Sequence, residues 1–410
     1  MNEIDKLIQE LCPDGVEYRK LGEVGTFVRG NGIQKKDFTE TGVGCIHYGQ
    51  IYTRFGFYAT KTLTFISEEQ AQRCPKAKHG DVVIAITSEN VEDVCKAVAW
   101  LGQKEIAISG HAAIFNSSEL NAKYTSYYFQ TYSFYLQKKK YAHGTKVIEI
   151  SPEQVSKIEI PVPPLPIQEK IVEVLDKFTK LEAELEAELE ARRKQYEYYR
   201  EKLLTFNTPP NSENVRWFAL GEVATISSGG TPKTSKKEYY QGNIPWLRTQ
   251  EVDWKEVYDT EIKISEEAVE HSSAKWIPSN CVIVAMYGAT AAKACINRVP
   301  LTTNQACCNL QIDNKKAYYK YVYFWICKEY ERLKALGQGT QHNLNAGQIK
   351  NYKIPLPPLS EQRRIADILD KFEALTTSLQ DGLPAEIAAR RKQYEHYREQ
   401  LLSFKRKETK

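Results

Sequence analysis

The chain has 410 residues, of which 42% are apolar and 26% charged, a composition with room for two or more hydrophobic cores. Its formal charge of +4 permits nucleic-acid binding without demanding it, since a stand-alone DNA-binding protein usually carries a stronger basic excess. No apolar stretch approaches the roughly 18 to 20 residues of a membrane span, and the acidic start Met-Asn-Glu-Ile-Asp-Lys is unlike a secretory signal, so no membrane partner and a cytoplasmic location are expected. The nine cysteines, an odd number without a C-x-x-C pair, read as scattered buried thiols rather than as a zinc or disulfide framework.

In chain order, residues 1 to about 158 mix strand-like and helical segments. Val82-Val83-Ile84-Ala85-Ile86 is a continuous apolar, β-branched run and predicts a buried strand. The aromatic-rich stretch Tyr124–Tyr135 has helical spacing. Ser151-Pro152-Glu153-Gln154 has the form of an N-cap, a Pro in the first turn and an acidic neighbour. The Pro-rich Ile160–Pro166 then closes the first globular part, because a residue before Pro favours extended backbone.

From Ile167 to about Leu204 the pattern is strongly helical. Ile171, Val174, Phe178, Leu181 and Leu185 step 3, 4, 3, 4, and Leu189, Arg192, Tyr196, Tyr199 and Leu203 resume the steps after one stutter. Within it Leu181-Glu182-Ala183-Glu184 is repeated directly as Leu185-Glu186-Ala187-Glu188, either a solvated helix face or a spacer whose length matters. Asn207–Ser212 reads as a linker. The second half repeats the order: a strand at Cys281–Ala285, an aromatic helix at Tyr318–Tyr330, then a seam of Ile365, Ile368, Phe372 and Leu375. Gly382-Leu383-Pro384 should break that last helix.

The repeat is literal in the helices. Ala191–Phe206 and Ala389–Phe404 agree at thirteen of sixteen positions at an offset of 198. Ile160-Pro161-Val162-Pro163-Pro164-Leu165 returns as Ile354-Pro355-Leu356-Pro357-Pro358-Leu359, and Leu21-Gly22-Glu23-Val24 as Leu220-Gly221-Glu222-Val223. A period near 200 residues means duplicated domains rather than a solenoid. The expectation is an α+β protein with two similar mixed α/β domains, joined by long antiparallel coiled-coil-like helices in a pseudo-twofold arrangement. The divisions are 1–163, a central helix 164–206, 207–357, and a C-terminal helix 358–410.

Catalytic signatures are missing: there is no phosphate loop, no H-E-x-x-H, no G-x-S-x-G and no N-P-P-[YF], so a non-catalytic binder without cofactor or metal is expected. Each half does carry amides, hydroxyls and Lys/Arg in Gly-rich loops, the materials of base and phosphate recognition. In the first half these are Arg29, Lys35, Lys36, His47, Tyr48, Lys138, Lys139, Lys140, Thr145 and Lys146. In the second they are Lys233, Lys236, Lys237, Arg248, Thr249, Thr340, Gln341 and Asn343. Arg192, Tyr196, Tyr199, Arg390, Tyr394 and Tyr397, on the repeated helix, suit a protein interface, where Tyr and Arg are favoured anchors.

Taken together, L-G-E-V opening each half, G-G-T-P at 229–232, I-P-W-L-R-T at 244–249, the I-P-x-P-P-L hinges, the L-D-K-F seams and R-R-K-Q-Y-E-x-Y-R ending each helix resemble the specificity subunit of a Type I restriction–modification system over essentially the whole chain. The resemblance implies two target-recognition domains, each reading one half of a bipartite site in double-stranded DNA. It also implies two modification (methyltransferase) subunits docked on the helices, with restriction subunits joining them. The first half departs from the pattern, with Arg29-Gly30-Asn31-Gly32 in place of G-G-T-P and Cys45-Ile46-His47-Tyr48 in place of I-P-W-L-R-T. The competing readings are a coiled-coil scaffold that binds only protein, which leaves the two divergent Lys- and amide-bearing halves without a purpose, and a self-contained DNA enzyme, which lacks the catalytic motifs.

Overall fold

A computed structural model describes residues 3–206, 215–338, 343–378 and 382–408. The chain forms two units. One comprises Met1–Leu185 with Ile387–Lys410, and the other Glu186–Glu386. The single helix Leu165–Leu203 therefore gives its first part to one unit and its second part to the other, dividing within the Leu-Glu-Ala-Glu tandem.

In the first unit a five-stranded sheet has the order Thr26–Arg29, Ala112–Asn116, Val82–Ala85, Ala97–Trp100, Tyr58–Ala59. A second sheet has the order Phe38–Thr39, Thr64–Ile66, Val43–Ile46, Ile106–Ile108, Lys76–Ala77. The strand Val82–Ala85 explains its own apolar run. Val83 and Ala85 face a core shared with Ile46, Ile108 and Trp100, while Val82 and Ile84 face Tyr124, Tyr127 and the start of the long helix. Burial on both faces removes the alternation a half-exposed strand would show.

The second unit repeats the layout. Its sheets run Ala224–Ser228, Cys307–Ile312, Val282–Ala285, Ala294–Asn297, Glu256–Val257 and Lys263–Ile264, Ile244–Leu247, Leu301–Thr303, Trp276–Ile277. Val282 and Val284 face one core, Ile283 and Ala285 the other. The aromatic stretches are pairs of short helices rather than single ones: Ala122–Tyr128 with Tyr132–Lys138, and Tyr319–Lys328 with Tyr330–Ala335. Ser151 caps Pro152–Val155 as its sequence indicates, and Gln154 closes a capping box from the other side.

Equivalent side chains fasten each sheet pair to its helix. Buried Gln168 accepts from the Asn121 N–H (2.8 Å) and donates to the Pro163 carbonyl (2.7 Å). Gln362 does the same with Tyr318 (2.9 Å) and Pro357 (2.8 Å). Lys123 pairs with Asp176 at 2.6 Å, and Lys320 with Asp370 at 2.6 Å.

The helical seam is repeated too. In the first unit Phe178 stacks on Tyr397 at 5.4 Å and Glu182 pairs with Arg391, so the helix Leu383–Leu401 runs antiparallel to the first part of the long helix. In the second unit Phe372 of the helix Leu359–Thr377 stacks on Tyr199 at 5.5 Å. The expected break at Gly382 is present, since one helix ends at Thr377 and the next starts at Leu383. The linker from Asn207 to Ser212 lies outside the described residues. Eight of the nine cysteines are buried and Cys12 is half-buried; all are free thiols. Among the described residues no helix is long and apolar enough to cross a membrane.

Candidate nucleic-acid interface

Each pair of sheets presents a cluster of loops at one end, and the two clusters are built alike. In both, the first strand leaves its sheet through a glycine pressed against a carbonyl. A Cβ on Gly30 would lie 2.1 Å from the Ser109 oxygen, and one on Gly229 would lie 2.0 Å from the Thr303 oxygen. Only glycine permits that approach. In both, a strand of the second sheet, Val43–Ile46 or Ile244–Leu247, ends in a residue that opens a helical turn. These residues are His47 and Arg248.

In the first unit Arg29 donates to the Gly110 carbonyl (3.3 Å) and pairs with Glu149 at 2.9 Å. That contact brings the exposed loop Gly144-Thr145-Lys146 beside it, because His143 and Glu149 form a bridge. Phe38, His47, Tyr48 and His111 form a ladder of rings with successive centroids 6.0, 4.6 and 5.0 Å apart. The Tyr48 N–H donates to the buried Ser109 hydroxyl at 3.0 Å. Burial first, then His111 and Lys35, hold the His47 imidazole below its usual pKa. Its Nδ1 accepts from the Gly49 N–H at 3.3 Å, which leaves the proton of the neutral ring on Nε2, a single donor. Lys35, Lys36, Lys139 and Lys140 are exposed.

Lys138 corrects the sequence reading. Its Nζ donates to the Glu92 and Val94 carbonyls at 2.7 and 2.5 Å, and burial lowers its pKa. At 3% exposure it cannot reach DNA from this position. His111 and Glu149 were missed by sequence reading. The signal for the first was the turn Ser109-Gly110-His111 between two apolar strands, a polar loop of the same kind as those selected.

In the second unit Thr231 hydrogen-bonds Gln305, and the Trp246 indole donates to the Gly230 carbonyl at 2.9 Å. The Asn304 N–H donates to the Leu247 carbonyl at 2.9 Å, which sets this turn next to Arg248. The Arg248 guanidinium pairs with Glu261 at 2.7 Å and lies 3.6 Å from Glu251. Thr249 is a second correction. It is buried, and its carbonyl accepts from the Thr290 hydroxyl at 2.7 Å, so it supports the turn rather than facing outward. Lys233 and Lys237 are exposed, while Lys236 donates to the Tyr239 hydroxyl at 2.9 Å. Half-buried Asn343 pairs with Gln338 beside Met286 at the end of the central strand. Thr340 and Gln341 lie outside the described residues.

The helical candidates sit along the seams. Tyr394 is buried and Tyr196 is partly buried, each beneath an arginine, Arg398 at 5.4 Å and Arg200 at 5.3 Å. Tyr199 and Tyr397 stack as described. Arg192 pairs with Glu188 at 2.7 Å, and Arg390 donates to Gln393 at 3.1 Å. Among the described residues no cluster of His, Cys, Asp and Glu could hold a metal ion.

Comparison with known proteins agrees with this architecture. The model of the Type I restriction modification DNA specificity domain matches residues 13–191 and again 212–389. The chain is 34% identical over 427 aligned residues to the EcoR124I/EcoR124II specificity subunit of Escherichia coli, covering 100% of this chain and 99% of that one. A Type I restriction–modification S subunit from M. genitalium shares the fold at 15% identity with a TM-score of 0.57, covering 95% of this chain and 96% of that one. A chain from a type I system solved to describe complex assembly and conformational transition superposes at 17% identity with a TM-score of 0.61, covering 95% and 97%. With two domain matches that together span most of its length, and a full-length curated relative, the chain belongs to the Type I restriction–modification specificity family, as a DNA specificity subunit.

Proposed function

We propose that each unit reads one half of a bipartite DNA site with its loop cluster, and that the helices dock two modification subunits, to which restriction subunits add. On this reading the chain is itself non-catalytic and supplies sequence choice to a methyltransferase and endonuclease complex. The observation that carries it is the contrast between the repeated seam and the unrepeated loop ends. Phe178–Tyr397 and Phe372–Tyr199 are the same contact made twice. At the equivalent loop positions, by contrast, one unit offers His47 and Gln50 and the other Arg248 and Glu251. A common frame with different polar groups at the same place suits two different half-sites. A scaffold that binds only protein has no use for that difference. The test is exchange of residues 212–355 for the matching half of a relative, followed by methylation mapping with the modification subunit. One half-site should change and the other persist; joint change of both refutes the modular reading.

A further inference from the structure

The Arg248 guanidinium is held by a single hydrogen bond, from Nη2 to Glu261, and its buried Nε makes none. Its Nη2 lies 2.7 Å from Glu261 and its Nε 3.6 Å from Glu251, so the Nε–Nη2 edge faces carboxylates. Its Nη1 has no hydrogen-bond partner among the described residues, which leaves the Nη1–Nη2 edge open. Glu251 also fixes the backbone around this contact, accepting from the Glu261 N–H at 2.8 Å and the Arg248 N–H at 3.4 Å. Guanidinium nitrogens form a rigid planar fork, so a tether at Nη2, with the Glu251 carboxylate beside Nε, orients the remaining edge.

We propose that Glu251 and Glu261 are positioning residues that aim the Nη1–Nη2 edge of Arg248 at a guanine in the half-site read by the second unit. This rests on the proposed reading of that unit as a DNA-reading head. Two parallel N–H groups match the O6 and N7 acceptors of guanine in the major groove, and no other base edge there offers two adjacent acceptors. A guanidinium already tethered by one charge-assisted hydrogen bond loses less side-chain freedom on binding than a free one. The carboxylates also work against a phosphate at this place, because an anion would approach Glu261 as well as Arg248. The first unit supplies the contrast. Gln50 there occupies the place of Glu251, donating to the Thr64 hydroxyl at 3.2 Å, and His47 offers one donor instead of a fork.

The test uses the full chain assembled with its modification subunit on a library of randomised sites, read by methylation mapping. The wild-type protein should require guanine at one position of the second half-site. Arg248→Lys, which keeps the charge and loses the fork, should reduce that preference roughly tenfold or more. Glu261→Gln should reduce it in the same direction, and Glu261→Asp should retain part of it. The first half-site and the melting temperature should stay unchanged in all three. Glu261 is exposed, so these substitutions spare the core. Should methylation by a variant be too weak to map, competition gel shifts between the wild-type site and one lacking that guanine give the same ratio. A second half-site without a required guanine, or an undiminished preference in either Arg248→Lys or Glu261→Gln, overturns the proposal. A wild-type consensus that is not bipartite overturns instead the reading on which it rests.

Discussion

Truncating Tyr394 to Ala separates packing from docking at the helical seam. The ring is 6% exposed and lies 5.9 Å from Phe57 and 6.3 Å from Phe178, inside the core of the first unit. Removing a buried aromatic side chain costs about 3–5 kcal/mol, from lost transfer energy and the cavity left behind. In a unit of about 200 residues each kcal/mol moves the melting temperature by about 2–4 °C, so its transition should fall by about 6–20 °C. Tyr394→Phe should cost less than about 1 kcal/mol, because the buried hydroxyl has no hydrogen-bond partner of good geometry to lose. Calorimetry of the full chain gives the first quantity, and capture of the modification subunit, measured well below the lowered transition, gives the second. On the packing account Tyr394→Ala is destabilised yet still captures its partner while folded. An unchanged melting temperature with partner capture abolished would refute that account and return Tyr394 to the interface.

Two other outcomes follow from the same structure. Burial at the seam of the second unit pushes the Glu373 carboxyl up to about 7, outweighing the hydrogen bond it accepts from the Tyr323 hydroxyl at 3.2 Å. The folded state therefore binds the proton more tightly than the unfolded state, and stability should fall as pH rises from about 4.5 to about 7. Glu373→Gln should flatten that slope in pH-dependent melting, and an unaltered slope would acquit the residue. Inserting one further Leu-Glu-Ala-Glu unit after Glu188 lengthens the helix by about 6 Å and turns it by about 40°. One base pair advances DNA by about 3.4 Å and about 35°. Methylation mapping should then show the unspecified gap longer by about one base pair with both half-sites kept, and an unchanged gap would make the repeat an ordinary solvated face.

The duplicated frame was legible because its determinants are local. The run Val82–Ile86, the cap at Ser151 and the 3–4 stepping from Ile171 each specify structure within a few residues, and the second copy repeats them. What the sequence could not show depends on contacts across the fold. Lys138-Lys139-Lys140 reads as one basic surface, yet the first of the three spends its charge on two carbonyls more than 40 residues earlier. Arg248 reads as a free base reader, but its partner Glu261 lies 13 residues on, brought back by strand pairing. Nor does sequence identity say which helix closes which domain. The segment after Ile387 completes the first unit, and the segment after Glu186 completes the second.

That exchange of closing helices changes what their near-identity means. Tyr394, Tyr397 and Arg398 have structural counterparts in Tyr196, Tyr199 and Arg200, and each set packs on a Phe-bearing helix of its own unit. Packing alone explains why those letters recur, because two equivalent seams need equivalent side chains. It does not explain Lys194 with Lys392, or Glu197 with Glu395, which are identical in the two copies and exposed in both. An exposed helix face tolerates many substitutions at a cost within about 0.5 kcal/mol, so the seam places little constraint on it. The identity of these outward residues is therefore the stronger support for two equal docking surfaces, and the buried tyrosines are the weaker. Where seam and surface recur together, the surface carries the argument for a partner.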